Sequence, residues 1–329
     1  MKKIAIILPD KSKDYIANTV LEGFRAFEHS KEFEVRISPR FIAIADYSDW
    51  ELGDEAFFEY ARAADLIIYI HAKYTVFDLL NKIALWDKTV VVDGHEVGKN
   101  YRYDKEIRKA LEDGTYERSG GIEWHLLKKC RKYFRREKPY VQGVIPLPFG
   151  IENRFIKYRP GVKKDIDFTC VFGQEEYPPL RREVRLALEE FCAKNNFKCS
   201  TTKTRSIFNW NFHSMASQAK FHRTLARTKI GISVGGSGFD TLRFWEILAN
   251  NCVMLTEDID LYEEGSSALK YKRVFEFKNI DEFKVRLLEM GKLIRSGAIN
   301  EYLEQNEYER ILRDHSCAAR VRTIIDNSF

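Results

Sequence analysis

A glycine-rich turn followed by a charged helix is the part of the chain best suited to hold a phosphate group. The apolar run 230–234 predicts a strand, and the small residues after it let a ligand approach backbone N–H groups. The turn and the helix start are formed by Gly235, Gly236, Ser237, Gly238, Asp240 and Thr241. Asp240 or Thr241 can cap the helix. Arg243 and Glu246 lie three residues apart near its amino end, which favours anions, so the pattern predicts a phosphate-binding turn.

The turn differs from three well-defined motifs. Its spacing is neither G-x-G-x-x-G nor the Walker A pattern, and no lysine follows in the P-loop position. Ser237 does not form a nucleophile elbow, because Phe239 stands where the last glycine belongs. An ordinary strand-to-helix turn punctuated by glycines is the alternative interpretation.

A second set of titratable side chains follows two predicted strands in the first half of the chain. Asp93, His95 and Glu96 come at the end of the run 89–93, and His71 ends the run 65–71. Histidine titrates near neutral pH, so Asp93 and His95 are candidates for a catalytic base or for binding an acceptor, with His71 beside them. Alternatively, Asp93 and His95 only satisfy backbone groups of their loop.

Other charged groups give weaker signals. Gly173 ends a predicted strand and is followed by a helix whose arginines, at 181, 182 and 185, either neutralise phosphates or form a solvated face. Two Asp-x-Asp sequences, at 165–167 and 258–260, have a pattern that can bind a metal–nucleotide complex. The first precedes its strand and so lies at the wrong end of a sheet. The second follows the predicted strand 253–256 and is better placed, but the metal-binding interpretation is disfavoured overall.

The run 128–136 is the one concentrated basic segment, and aromatic residues are interleaved in it. Such a run suits nucleic acid or anionic lipid, and Arg136 is a candidate for a ligand cleft. The usual alternative is a helix whose basic face is in water, and the stretch 100–138 is predicted to be mostly helical.

Alternating strand-like and helical runs predict two Rossmann-like domains of the α/β class. The strand-like runs of the first half are 3–8, 34–38, 65–71 and 89–93. The proline-punctuated run 144–148 predicts a crossing into a second α/β series that begins at 167–173. We therefore expect domains at 1–150 and 151–311 that face each other across a cleft.

Composition narrows the class of protein. The chain has 329 residues, of which 44% are hydrophobic, and a net charge of +5, well short of the concentrated charge of a nucleic-acid binder. Six scattered cysteines without zinc or redox spacing predict buried free thiols in a reducing compartment. The first apolar run stops at Pro9, too early for a signal peptide or a membrane span. We expect a cytoplasmic protein.

Several sequence blocks resemble one known family. They are Phe221–Leu225 before Lys229–Gly231, Arg243–Asn251 before Val253–Thr256, Tyr133–Glu137, Pro146–Ile151, Phe172–Gly173, His315–Ser316 and Arg320. The blocks between Phe221 and Thr256 look like the donor-binding half of CgeB-like glycosyltransferases, which belong to the GT-B group of retaining nucleotide-sugar transferases. The other blocks are further resemblances to this family. Together the blocks are spread over residues 120–325.

The resemblance implies a GT-B fold with the donor in the second domain, the acceptor in the first and a helix at 312–329 that packs back on the first. Glu246 would hold the ribose hydroxyls, since a carboxylate can accept from both. The turn 235–241 with Arg243 would hold the diphosphate and stabilise the leaving group without a metal, and Gly173 would face the donor. The family's earlier glutamate position is Gly238 here, which counts against a second carboxylate contact to the sugar.

Two other classes of protein fit parts of the pattern. A bilobal binding or regulatory protein shares the gross architecture and would bind a ligand without turning it over. A protein that binds or modifies nucleic acid would explain the basic run 128–136 and would bind DNA or RNA in a salt-sensitive manner.

Overall fold

The chain folds as two compact units. The computed structural model describes residues 1–11, 13–71, 77–96, 122–137, 142–173, 178–201, 215–236, 238–259, 261–262 and 271–329. The first unit comprises Met1–Gly150, Asp260–Glu264 and His315–Phe329, and the second comprises Ile151–Ile259 and Gly265–Asp314.

A parallel sheet forms the centre of the first unit. Its elements are β1 (Lys2–Ile7), α1 (Tyr15–Arg25), β2 (Phe33–Ile37), α2 (Asp54–Ala63), β3 (Leu66–His71), α3 (Phe77–Ile83), β4 (Thr89–Asp93), α4 (Trp124–Lys129), β5 (Lys132–Arg135) and β6 (Val144–Pro146). The strand order is β2-β1-β3-β4-β5-β6. The register places His71 beside Asp93, and Asp93 beside Arg135. Because parallel strands end at a common edge, these polar side chains come together there.

A second parallel sheet forms the centre of the second unit. Its elements are β7 (Ile166–Cys170), α5 (Leu180–Asn195), β8 (Cys199–Thr201), α6 (Met215–Ala226), β9 (Thr228–Ser233), α7 (Leu242–Leu248), β10 (Val253–Glu257), β11 (Val274–Phe277), α8 (Ile280–Ser296) and α9 (Gln305–His315). The strand order is β11-β10-β9-β7-β8, so the direction of winding changes between β7 and β9. Open parallel sheets bind ligands at such a change, outside the carboxyl ends of the strands.

The last helix, α10 (Cys317–Ser328), belongs to the first unit and packs on α1. A Cβ atom at Gly23 would come within 2.4 Å of the Cys317 carbonyl oxygen, so only glycine allows the two helices to approach this closely. Arg322 also forms an ion pair with Glu32, with 2.9 Å between nitrogen and oxygen. Helix α10 is thereby held against α1 and against Glu32, just before β2.

The predicted α/β class with two parallel sheets is confirmed, but two local predictions are wrong. The basic stretch is not helical throughout, because Lys132–Arg135 form β5 between β4 and β6. The Tyr133 and Phe134 side chains are fully buried there, and the charges around them hide the strand pattern. The cysteines are not all free thiols either, since Cys192 near the end of α5 is bonded to Cys199 at the start of β8.

Candidate functional site

The predicted phosphate-binding turn follows β9, at the point where the winding of the second sheet changes direction. Gly235 N–H donates to Glu257 Oε2 at 3.0 Å, and Gly236 N–H donates to the carbonyl oxygen of Gly238 at 2.9 Å. Both amides are therefore satisfied inside the protein, and a diphosphate would have to displace these bonds to use them. Ser237 lies outside the described residues.

Arg181 lies beneath this turn. Its Nε donates to the Gly235 carbonyl oxygen at 2.9 Å and its Nη2 to that of Val234 at 3.3 Å. Of the other two arginines predicted for phosphate binding, Arg182 is exposed and Arg185 pairs with Glu189 at 2.7 Å. Arg181 thus shapes the turn. Gly173, in the loop after β7, is exposed.

Glu246 is the centre of a buried cluster of charged and polar groups. Its Oε1 is 2.8 Å from His222 Nε2, and its Oε2 accepts from Arg243 Nη1 at 2.6 Å. The Arg243 guanidinium also lies over the Phe221 ring, 3.8 Å from its centroid. Burial by itself raises the pKa of Glu246, but the charge of Arg243 and the hydrogen bond from His222 outweigh it and hold the pKa below its ordinary value. Glu246 is therefore a permanent anion at neutral pH.

The start of α7 differs from its predicted capping. Thr241 occupies the cap position but makes no side-chain capping bond, and Asp240 Oδ1 accepts from Trp245 Nε1 at 2.7 Å. Within the part of the chain that the structure describes, Thr241 Oγ1 and Arg243 Nε are buried and have no hydrogen-bond partner. Both atoms can donate, which suits an anionic ligand.

In the first unit, Asp93 holds His95 in a defined orientation. Asp93 Oδ1 is 2.9 Å from His95 Nδ1 and accepts from the His95 backbone N–H at 2.9 Å, while Oδ2 accepts from the Tyr133 hydroxyl at 2.7 Å. The bond from Asp93 raises the pKa of His95. Burial alone raises the pKa of Asp93, but His95 and the charge of Arg135 hold it below its ordinary value. This carboxylate–histidine pair can accept a proton.

His71 completes the cluster at this edge. Its ring centroid is 4.6 Å from that of His95, and burial lowers the pKa of His71 to about 4, so the ring is neutral. His71 Nδ1 is buried and, among the described residues, has no hydrogen-bond partner. One ligand atom each from His71, Asp93 and His95 lie within 4.8 Å of one another, a spacing that also fits a divalent cation.

The basic residues of the run 128–136 lie in two different places. Lys128, Lys129, Arg131 and Lys132 are exposed around the amino end of β5. Arg136 follows the carboxyl end of that strand and donates to the Gly94 carbonyl oxygen at 3.2 Å and to Glu96 at 2.9 Å. Arg136 is therefore near the Asp93–His95 pair, as is Arg135 at the end of β5, whose Nε is 4.0 Å from Asp93 Oδ2.

The Asp-x-Asp sequences do not form a described metal site. Asp165 pairs with Lys198 at 3.2 Å and Asp167 with Lys229 at 2.7 Å, at the amino end of β7. Asp258 is exposed, and Asp260 lies outside the described residues.

One family model matches part of the chain. Residues 181–326 match the model of a family described as glycosyl transferase-like, a range that contains the turn after β9 and the Glu246 cluster. The matched range covers most of the second unit and, in the first unit, most of α10. No curated protein matches the chain.

Solved structures extend the likeness to the first unit. An alpha-glucosyltransferase in complex with UDP is 9% identical, with 100% of both chains covered and a TM-score of 0.59. An alpha-glucosyltransferase with UDP and a 13-mer DNA is 10% identical, with 99% of both chains covered and a TM-score of 0.58. Sucrose-phosphate synthase from Thermosynechococcus elongatus is 10% identical, with 99% of this chain and 98% of that chain covered and a TM-score of 0.58. The fold is GT-B, as predicted.

The sequence analysis assigned no role to two residues that the structure places at this site. His222 holds Glu246, and Glu257 anchors the Gly235 amide from the end of β10. A carboxylate that ends an apolar strand was a usable signal for Glu257. Among the described helices, none is both long and apolar enough to cross a membrane.

Proposed function

We propose that the protein transfers a sugar from a UDP-sugar, held by the second unit, to a hydroxyl group of an acceptor held by the first. The observation that carries this proposal is the Glu246 cluster beside the turn after β9, inside a glycosyl transferase-like domain. UDP is the nucleotide because solved structures of the same fold contain it. Membership of the CgeB-like subgroup is part of the proposal.

On the donor side, Glu246 accepts the ribose hydroxyls of UDP. The Thr241 hydroxyl and the Nε of Arg243, both buried donors, take the diphosphate, with the amides of Gly235, Gly236, Ser237 and Gly238 available after rearrangement. Asp240 holds the start of α7 through Trp245, and Gly173 leaves room for the donor. Positive charge and N–H groups stabilise the leaving UDP, so we propose that no metal or other cofactor is needed.

On the acceptor side, His95 takes the proton. The acceptor oxygen bonds to the anomeric carbon, the bond from that carbon to the β-phosphate oxygen breaks, and UDP leaves with the electron pair. Asp93 stabilises the imidazolium that forms on His95, as its short contact to Nδ1 allows. We propose retention at the anomeric carbon, as the family resemblance implies.

The experiment measures thermal stability with UDP, GDP, ADP, TDP and CMP and their sugars, with and without EDTA. We expect UDP to stabilise the protein, EDTA to change nothing and Glu246→Ala to lose the effect. Release of UDP from a UDP-sugar then tests turnover. If UDP does not stabilise the protein, the donor assignment is wrong. If stabilisation by UDP needs a divalent cation, the proposal of metal-free transfer is wrong.

Turnover also separates the two alternatives. A non-catalytic bilobal protein would be stabilised by UDP and release none from a UDP-sugar. A nucleic-acid acceptor has one observation in its favour, since a structure of the same fold contains DNA. Against it, the four exposed basic residues lie at the opposite sheet edge from Asp93 and His95.

A cytoplasmic location stays a prediction. The disulfide between Cys192 and Cys199 counts against a permanently reducing environment.

A further inference from the structure

His222 is one of the two side chains that fix the Glu246 carboxylate. It lies on α6 with 2% of its surface exposed, and its Nε2 is 2.8 Å from Glu246 Oε1. The Phe155 ring packs against the imidazole at a centroid distance of 5.3 Å. The imidazole is therefore held in place by packing and can set the plane of the carboxylate.

The number of acceptor sites on Glu246 matches two vicinal hydroxyl groups. Each carboxylate oxygen has two lone pairs. Among the described residues, His222 occupies one on Oε1 and Arg243 occupies one on Oε2, which leaves one lone pair on each oxygen. A ribose ring presents two neighbouring O–H donors, at its 2′ and 3′ positions.

We infer that His222 is a positioning residue that orients Glu246 toward both ribose hydroxyls, so that the protein selects ribonucleotides over 2′-deoxyribonucleotides. The inference rests on the proposed function, since it presumes that UDP binds at Glu246.

The two partners of Glu246 are not equivalent. Arg243 has an unpartnered Nε beside the Thr241 hydroxyl, so a diphosphate can attract its guanidinium. Among its described contacts, His222 has no group that competes with Glu246 for its Nε2. It therefore holds Glu246 whether or not the Arg243 guanidinium turns toward a diphosphate. The Asn250 side chain adds a bond to the Glu246 backbone carbonyl at 2.8 Å, which fixes the chain at the same residue.

The test is calorimetric binding of UDP and 2′-deoxy-UDP to the wild type and to variants of His222. We expect the wild type to prefer UDP by about 10-fold or more, since a hydrogen bond to a charged group is lost with the 2′-hydroxyl. His222→Leu should bring that ratio below about 3-fold, because Glu246 can then rotate. His222→Gln, whose amide can still donate to Oε1, should keep most of it.

The ratio separates positioning from a merely structural role. Loss of stability in His222→Leu with an unchanged ratio would overturn the inference. If the leucine variant does not fold, His222→Asn, whose amide is too short to reach Oε1, replaces it with the same expected ratio. His315→Gln, at a buried histidine of the first unit, is the matched control and should leave the ratio unchanged. Failure of the wild type to bind UDP would instead reject the proposed donor.

Discussion

Both units contain a carboxylate–histidine pair, and the two pairs differ in what surrounds them. Asp93 and His95 are 2.9 Å apart in the first unit, and Glu246 and His222 are 2.8 Å apart in the second. The His95 side chain is 36% exposed, whereas that of His222 is 2% exposed. Asp93 also accepts from the neutral hydroxyl of Tyr133 and has Arg135 Nε at 4.0 Å, whereas Glu246 accepts directly from the cation of Arg243 at 2.6 Å.

The exposure of the imidazole decides which pair can move a proton. An imidazole that reaches solvent can take a proton from a ligand, and a buried carboxylate behind it stabilises the charge that results. A sealed imidazole beside a carboxylate that is already paired with arginine holds a fixed negative charge. The first pair is thus suited to chemistry and the second to binding.

Replacing the carboxylate of the exposed pair gives the largest expected change in rate. Asp93→Asn removes the charge that stabilises protonated His95, so we expect kcat to fall by about 10²–10⁴ while UDP binding stays unchanged. Steady-state transfer and calorimetry with UDP measure the two effects. Asp87→Asn, at an exposed aspartate, is the control. Equal losses of rate and of UDP affinity would contradict the division of labour between the two pairs.

The two pairs should also respond differently to pH. Because Asp93 raises the pKa of His95 above 6.5, and a base must be neutral, the transfer rate should fall about tenfold per pH unit below that raised pKa. The stability supplied by protonated His95 runs the other way: it is present at low pH and is lost as the pH rises through the raised pKa.

UDP binding should be flat over the same range, because the lowered pKa of Glu246 keeps it ionised. A pH profile of kcat beside one of UDP affinity checks this. In Asp93→Asn the midpoint of the residual rate should move to lower pH, and a midpoint that stays in place would argue against His95 as the base.

A smaller effect is expected from the support of the turn. Arg181→Leu leaves the carbonyl groups of Val234 and Gly235 without their arginine donor, which should lower the free energy of unfolding by about 1–3 kcal/mol and weaken UDP binding. Chemical denaturation and calorimetry measure both. Arg182→Leu, at the neighbouring exposed arginine, should change neither the stability nor the affinity for UDP. An effect as large as that of Arg181→Leu would show that the charge of the helix, and not support of the turn, is responsible.

The smallest effect is expected at the amino end of β5, away from the Asp93–His95 pair. Glutamine at 128, 129, 131 and 132 removes four exposed charges from the amino end of β5, and surface substitutions of this kind usually change stability by less than about 0.5 kcal/mol. Transfer to a non-nucleic acceptor should change less than about twofold. Loss of transfer together with loss of salt-sensitive DNA binding would favour a nucleic-acid acceptor.

Local patterns predict the strands and the glycine turn, but long-range contacts decide what the turn does. Arg181 is 54 residues from the carbonyl that it binds, and in sequence it reads as part of a solvated arginine face. The expected cap of α7 fails for a local reason: Thr241 at the cap position makes no capping bond, and Asp240 accepts from the Trp245 indole, five residues further on. The Tyr133 phenol, in contrast, meets Asp93 because β4 and β5 pair in register, and a sequence does not reveal its register.

The close approach of α10 to α1 at Gly23 makes the detachment of the last helix measurable. The Cys317 backbone fills the space beside Gly23 and Gly150, and 3% of the residue is exposed. An alkylating reagent can reach that thiol only after α10 lifts from α1, so the rate of alkylation at Cys317 counts openings of the carboxyl-terminal helix. The alkylation rate of Cys317 therefore reports local opening of the first unit.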